Sequence, residues 1–331
     1  MKTTFKTTVL TTVLALLLIF CMTLLCGVPA FADAPDTALP VRVITLNGTT
    51  GFGMAGLIAA HNAGETALNY SFSVETDASN VTAALVNGDC DIAALPTNAA
   101  SALYNKTGGK VQVLALNTRG VLYLVTDGSV EVDSIADLDG KTVYAPAQNP
   151  SFIFAALCSK SGIELNIDTS YAQPAELNTA VAAGEVSLAV LPEPMVTVAR
   201  SQNPDLVAAL DLTAEWDKVF EPGSLVQGCV VVRTEFAEEH PAEVAAFLED
   251  YGRSVALLTE DIPAAAKAIE EAGIFAKAAV AEKAIPKCNV CFVTGEEMQA
   301  ELGAFLEIMF EKAPQSIGGA LPGDDFYCIL K

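Results

Sequence analysis

Short apolar runs alternate with amphipathic stretches along most of the chain. Val41-Arg42-Val43-Ile44-Thr45-Leu46 reads as a strand that breaks at Asn47-Gly48-Thr49-Thr50-Gly51-Phe52-Gly53 and runs into an apolar helix. Tyr70 to Thr76 alternates as a second strand. A helix from Asn80 keeps Val81, Ala84 and Leu85 on one face and stops at Asn87-Gly88. Asp91-Ile92-Ala93-Ala94-Leu95-Pro96 is a third strand, with a helix from Thr97, and Val111 to Val125 reads as two short strands around Arg119-Gly120. This succession predicts α/β layering with mainly parallel pairing.

The pattern then restarts. A strand at Thr142-Val143-Tyr144-Ala145 leads through Pro146 to Ser151 into an apolar helix, and Ser187-Leu188-Ala189-Val190-Leu191-Pro192 is a strand with a helix from Met195. Gly88 to Thr97 and Gly184 to Glu193 align without a gap: glycine, acid, apolar run, proline. Such an echo marks two similar α/β lobes. A buried-type strand follows at Gly228 to Arg233, and then a helix from His240-Pro241, with Val244, Phe247, Leu248, Tyr251, Val255 and Leu258 forming its apolar stripe. The turn-rich stretch Gly318 to Tyr327 is too short for a sheet and is expected to pack back on the first lobe.

The first 32 residues follow a different logic. Lys2 and Lys6 precede the apolar run Val9 to Leu25, and Ala30-Phe31-Ala32 offers small residues at a cleavage site. This is the order of a secretory signal, with cleavage near Ala32. An uncleaved anchor or a lipidated Cys26 are the alternatives, the latter lacking a small residue beside the cysteine. Of 331 residues, 40 are acidic and 18 basic, for a net charge of -22, which disfavours nucleic acid and anionic lipid as partners. Cys158 and Cys229 lie in apolar strings and read as buried hydrophobes. Cys288 and Cys291 sit in an extended segment, where disulfide formation stays open. With two histidines in the chain, no metal site is expected.

Leu95-Pro96-Thr97-Asn98-Ala99, Asp137-Leu138-Asp139-Gly140-Lys141-Thr142-Val143, Leu191-Pro192-Glu193-Pro194 and the strand and helix from Cys229 to Leu258 recur in the order seen in a known family. The chain resembles ABC-transporter solute-binding proteins of the nitrate/sulfonate/taurine and thiamine-precursor (NMT1/THI5-like) group. The resemblance implies a type 2 periplasmic-binding-protein fold: two α/β lobes, a central cleft and two hinge crossovers. The crossovers are expected near Val125-Thr126 and Leu225 to Gly228. Residues 33–125 and 226–331 then form a discontinuous first lobe and 126–225 the second. The implied partners are a small-molecule ligand and an ABC permease with its ATPase. The implied product is an exported monomer in the periplasm or on the outer cell surface, without cofactor or catalytic residues.

Open α/β sheets bind ligands beyond the carboxyl ends of their strands, where helix starts point free N–H groups inward. Position therefore nominates Asn47, Gly48, Thr49, Thr50, Thr97 and Asn98 in the first lobe, and Gln148, Asn149, Ser151 and Glu193 in the second. Each hydroxyl or amide among them is equally suited to capping a helix. Glu193 is expected to be the main polar selector, its carboxylate facing a ligand amine, amidine or aminopyrimidine; the alternative is a cap on the helix from Met195. Arg119 reads as one half of a surface or hinge ion pair, an anion ligand being the alternative, and Trp216 and Tyr123 as core packing residues, with stacking on a ligand ring the alternative. The sequence holds no G-x-S-x-G and no nucleophile pattern near either histidine, so a secreted bilobal enzyme of related fold is the weaker alternative.

Overall fold

A computed structural model describes residues 34–330, so the expected signal segment and its cleavage site lie outside the described residues. From Asp36 onward the chain forms one unit built on two sheets. The first sheet has the strand order β11-β4-β10-β3-β1-β2, with β1 at Pro40–Leu46, β2 at Asn69–Glu75, β3 at Ile92–Pro96, β4 at Val111–Arg119, β10 at Val226–Arg233 and β11 at Val290–Val293. The second has the order β7-β6-β8-β5-β9, with β5 at Leu122–Thr126, β6 at Thr142–Tyr144, β7 at Asn166–Asp168, β8 at Leu188–Pro192 and β9 at Val207–Asp211. Helices cover both, as in the periplasmic-binding-protein fold.

Two expectations need correction. Strand β5 pairs with β8 and β9, so it belongs to the second sheet. The first crossover therefore falls at Gly120-Val121, before Leu122, rather than at Val125-Thr126. An apolar strand looks the same in either sheet, so composition could not place that boundary. Pairing is also mixed rather than mainly parallel. β1 pairs parallel with β2 and β3, and β6 with β7 and β8. However, β10 lies antiparallel between β3 and β4, and β5 between β8 and β9. Each sheet takes in one crossover strand that arrives from the other lobe and runs against its neighbours.

The internal echo is a structural repeat. Gly88 and Gly184 both follow a helix, at φ 76 and φ 77, a left-handed region that glycine enters without strain. Each leads into a five-residue strand, β3 or β8, whose first four residues are buried. Strands covered on both faces read as unbroken apolar runs, which is why this pair was legible.

One apolar core passes through both sheets on the crossover side. It contains Leu95 and Leu116 of the first sheet, Leu124 and Val190 of the second, and Phe154, Trp216 and Phe305 from helices. Trp216 is fully buried, donates its indole N–H to Ser224 Oγ at 2.9 Å, and lies 6.3 Å from the Phe305 ring. The tail packs on the first lobe as expected: the Ile317 carbonyl accepts from Ser101 and Asn105, and Tyr327 bridges to Val113 in β4. Arg119 pairs with Glu301 at 2.6 Å. Cys158, Cys229 and Cys288 are buried free thiols, and burial pushes Cys158 and Cys288 up to about 12. Cys291 is also a free thiol. No helix among the described residues is long and apolar enough to cross a membrane.

At the amino end of β3, Asp91 is 2% exposed and held from two neighbouring strands. Arg42 of β1 donates Nε and Nη2 to its two carboxylate oxygens at 2.9 and 2.6 Å, and Arg233 of β10 donates Nη2 at 2.9 Å. The Arg42 backbone N–H adds a further bond at 2.9 Å. The clamp ties three strands together at the end of the sheet far from the carboxyl end of β1.

Candidate functional site

A cavity of about 600 Å³ opens between the two sheets. Its walls come from the carboxyl ends of β1, β3 and β8 (Leu46, Pro96 and Pro192) and from the helix starts beyond the strands. Six of the ten nominated residues line it: Asn47, Gly48, Thr49, Thr50, Asn149 and Glu193. Gly48 sits at φ 78, so the turn after β1 reverses without a Cβ clash. The following short helix, Thr49–Phe52, is pressed against β1, and a Cβ on Gly51 would stand well under 3.0 Å from the Leu46 carbonyl oxygen.

The other four do not line it. Thr97 is fully buried and donates its hydroxyl to the Val226 carbonyl at 2.8 Å, joining β3 to β10. Asn98 turns toward Ser316, away from the cavity. Ser151 Oγ donates to the Gln148 carbonyl at 2.9 Å and closes the first turn of the helix Asn149–Lys160, and Gln148 is exposed at φ 66. For these positions the cap or packing role is the one the geometry supports.

The cavity also takes residues that position did not nominate: Thr76, Thr118, Gln173 and Gln227. Gln173 stands before Pro174, and the helix Pro174–Ala182 begins there. Proline at a helix start was the available signal. What the sequence hid was the strand before that helix, since β7 has only three residues, so the helix start was not placed at a strand's carboxyl end. Gln227 lies on the returning crossover strand, and its Oε1 accepts the Val121 N–H at 2.8 Å.

Glu193 is 1% exposed. Its Oε2 accepts the Thr197 N–H and its Oε1 the Thr197 hydroxyl, both at 3.0 Å, so the carboxylate caps the helix Met195–Gln202. Lys287, from the first lobe, reaches to 3.9 Å of Oε1. The sequence showed no cation nearby because this one is remote in the chain. Thr49 Oγ1 donates to the Glu193 backbone carbonyl at 2.8 Å, and the Tyr123 hydroxyl donates to the Lys287 carbonyl at 3.1 Å. Three polar contacts thus bridge the lobes beside the cavity. Burial raises the Glu193 pKa above 4.5, against the opposing pull of the Thr197 bonds and Lys287.

A raised carboxyl pKa means the folded state holds the proton more tightly than the unfolded chain. The stabilisation this brings is complete below pH 4.5 and is lost as pH rises through the folded value. Glu193→Gln is expected to remove that segment of the pH dependence. Urea midpoints of both proteins across the acid range check it, and parallel curves would refute it.

The sequence agrees with the geometry. The family described as the substrate-binding domain of ABC-type glycine betaine transport systems matches residues 71–285. The chain belongs to that family. No curated protein matches it in sequence. Among solved structures, an ABC transporter protein from Parabacteroides distasonis is similar at 23% identity and a TM-score of 0.75, covering 89% of this chain and 100% of its own. The periplasmic aliphatic sulphonate binding protein SsuA from Escherichia coli shares 13% identity at a TM-score of 0.68, with 88% and 94% covered. The periplasmic nitrate-binding protein NrtA from Synechocystis PCC 6803 shares 13% identity at 0.53, with 72% and 67% covered. The motifs pointed to the sulfonate and nitrate group; the matching family model is the betaine one. Both readings describe substrate-binding components of ABC importers with the same two-lobe fold.

Proposed function

We propose that this protein captures one small molecule between its lobes outside the cytoplasm and hands it to an ABC permease with its ATPase. The observation that carries the reading is the cavity, walled by strand ends and helix starts of both lobes. In this reading Asn47, Gly48, Thr49, Thr50 and Asn149 contact the solute, joined by Thr76, Gln173 and Gln227. Glu193 instead ties the lobes together beside it. The lobes divide at Gly120-Val121 and near Leu225, the chain acts as a monomer, and it turns nothing over. It leaves the cytoplasm by a signal cleaved near Ala32, for the periplasm or the outer cell surface.

The shared core around Trp216 and Phe305 limits how the lobes move, because a broad apolar contact resists sliding. Closure is a bending about the crossovers with that core as the pivot. X-ray scattering of the exported protein is expected to show a monomer that compacts when its solute binds. Unchanged dimensions at saturation, or turnover of a bound solute, would overturn the reading. Mass analysis should place the mature amino terminus near Asp33.

A further inference from the structure

We infer, resting on the transport reading, that the solute is an uncharged polar molecule recognised through carbonyl, amide or hydroxyl groups. The described residues lining the cavity include no lysine, arginine, histidine or aromatic ring. Their polar side chains are neutral, notably the amides Asn47, Asn149, Gln173 and Gln227 and the hydroxyls Thr50 and Thr76, with Glu193 the sole ionisable group. The Glu193 carboxylate is buried, accepts a Thr197 bond on each oxygen and has Lys287 of this chain at 3.9 Å, so its charge already faces a cation before any ligand arrives. A quaternary ammonium has no N–H to donate and is held by aromatic faces, which this lining lacks.

Anions fare no better. Four helices of more than two turns have their first residue in the lining: Ala78–Asn87, Asn149–Lys160, Pro174–Ala182 and Met195–Gln202. Their N–H groups and dipoles would attract negative charge. Three of the four already have a carboxylate of this chain at their start. Asp77 accepts the Ser79 N–H at 2.8 Å, Glu176 closes a capping box with Gln173, and Glu193 accepts the Thr197 N–H. The helix Asn149–Lys160 starts with no side-chain cap and no acid in its first turn, and so does the single-turn helix Thr49–Phe52 after β1. Against a net charge of -22 and with no guanidinium among the lining residues, these two starts suit a neutral carbonyl or hydroxyl oxygen better than a full anion. Gln227, whose oxygen is taken by Val121, keeps its amide N–H groups for the same ligand.

The test is calorimetry and thermal shift of the exported protein with two sets of probes. One set is neutral: lactams, N-acetylated amides, ureides and polyols. The other is charged: glycine betaine, taurine and nitrate. A neutral probe is expected to bind, with an affinity that changes less than about twofold between low and high salt, since no charge is screened. In that complex Asn149→Asp is expected to cost about tenfold, the scale of one altered hydrogen bond. Binding by a charged probe with no neutral one active overturns this inference and leaves the transport reading standing. A loss beyond about a hundredfold on Asn149→Asp, the signature of charge repulsion, overturns it too. If no probe of either set binds and scattering shows no closure, the transport reading fails as well.

Discussion

Gly51→Ala is expected to destabilise the protein by at least about 3 kcal/mol, the upper end of what overpacking usually costs. The added methyl would meet the Leu46 carbonyl oxygen well under 3.0 Å away and Ile274 Cγ2 at 3.0 Å. A flexible side chain could swing aside, but the carbonyl belongs to the last residue of β1 and cannot move without the strand. Relief must come from the Asn47–Phe52 turn shifting off the strand end. That turn carries Asn47, Thr49 and Thr50 into the cavity, and Thr49 holds the Glu193 carbonyl across the cleft. The variant should therefore lose solute affinity along with stability. The urea midpoint should fall with little change in slope, since the area exposed on unfolding is unchanged. A midpoint within error of the parent would show that the turn accepts a side chain, and would remove the reason for glycine there.

Much of the fold was legible because buried strands of an α/β layer announce themselves as apolar runs closed by a turn residue. β3 and β8 did so twice in the same words, Gly88 to Thr97 and Gly184 to Glu193. β7 did not: three residues of half-exposed strand carry no periodicity to read. Of the cavity lining, the turn after β1 and the start of the helix Asn149–Lys160 were nominated by position alone. Thr97 and Ser151 were nominated by the same logic yet point elsewhere. Which way a side chain leaves a helix start depends on the nearest carbonyl without a partner, Val226 in one case and Gln148 in the other. Partners remote in the chain were invisible for a simpler reason. Lys287 meets Glu193, and Glu301 meets Arg119, only once both lobes are assembled.

Asp91→Ala is expected to cost about 3 kcal/mol, the lower end for breaking a buried ion pair. The carboxylate is 2% exposed and accepts from two guanidinium groups, so removing it leaves two cations facing each other across an empty site. The lower end applies because Arg42 is 40% exposed and can recover water, whereas Arg233 is 18% exposed and cannot do so as fully. The same clamp sets an acid limit. Burial pulls the Asp91 pKa up, but the Arg42 and Arg233 hydrogen bonds and the Arg42 backbone N–H outweigh it, and the net value lies below 3.8. With the folded value below the unfolded one, the stabilisation is present above pH 3.8 and is lost as pH falls through the folded value. In the alanine variant that acid-side loss should vanish, so parent and variant converge in stability at the lowest pH and part as pH rises past 4. Solute affinity of the folded variant should match the parent, because the clamp lies at the opposite end of the sheet from the cavity. A constant stability gap across the acid range would mean that the cost comes from packing around Asp91 and not from its charge.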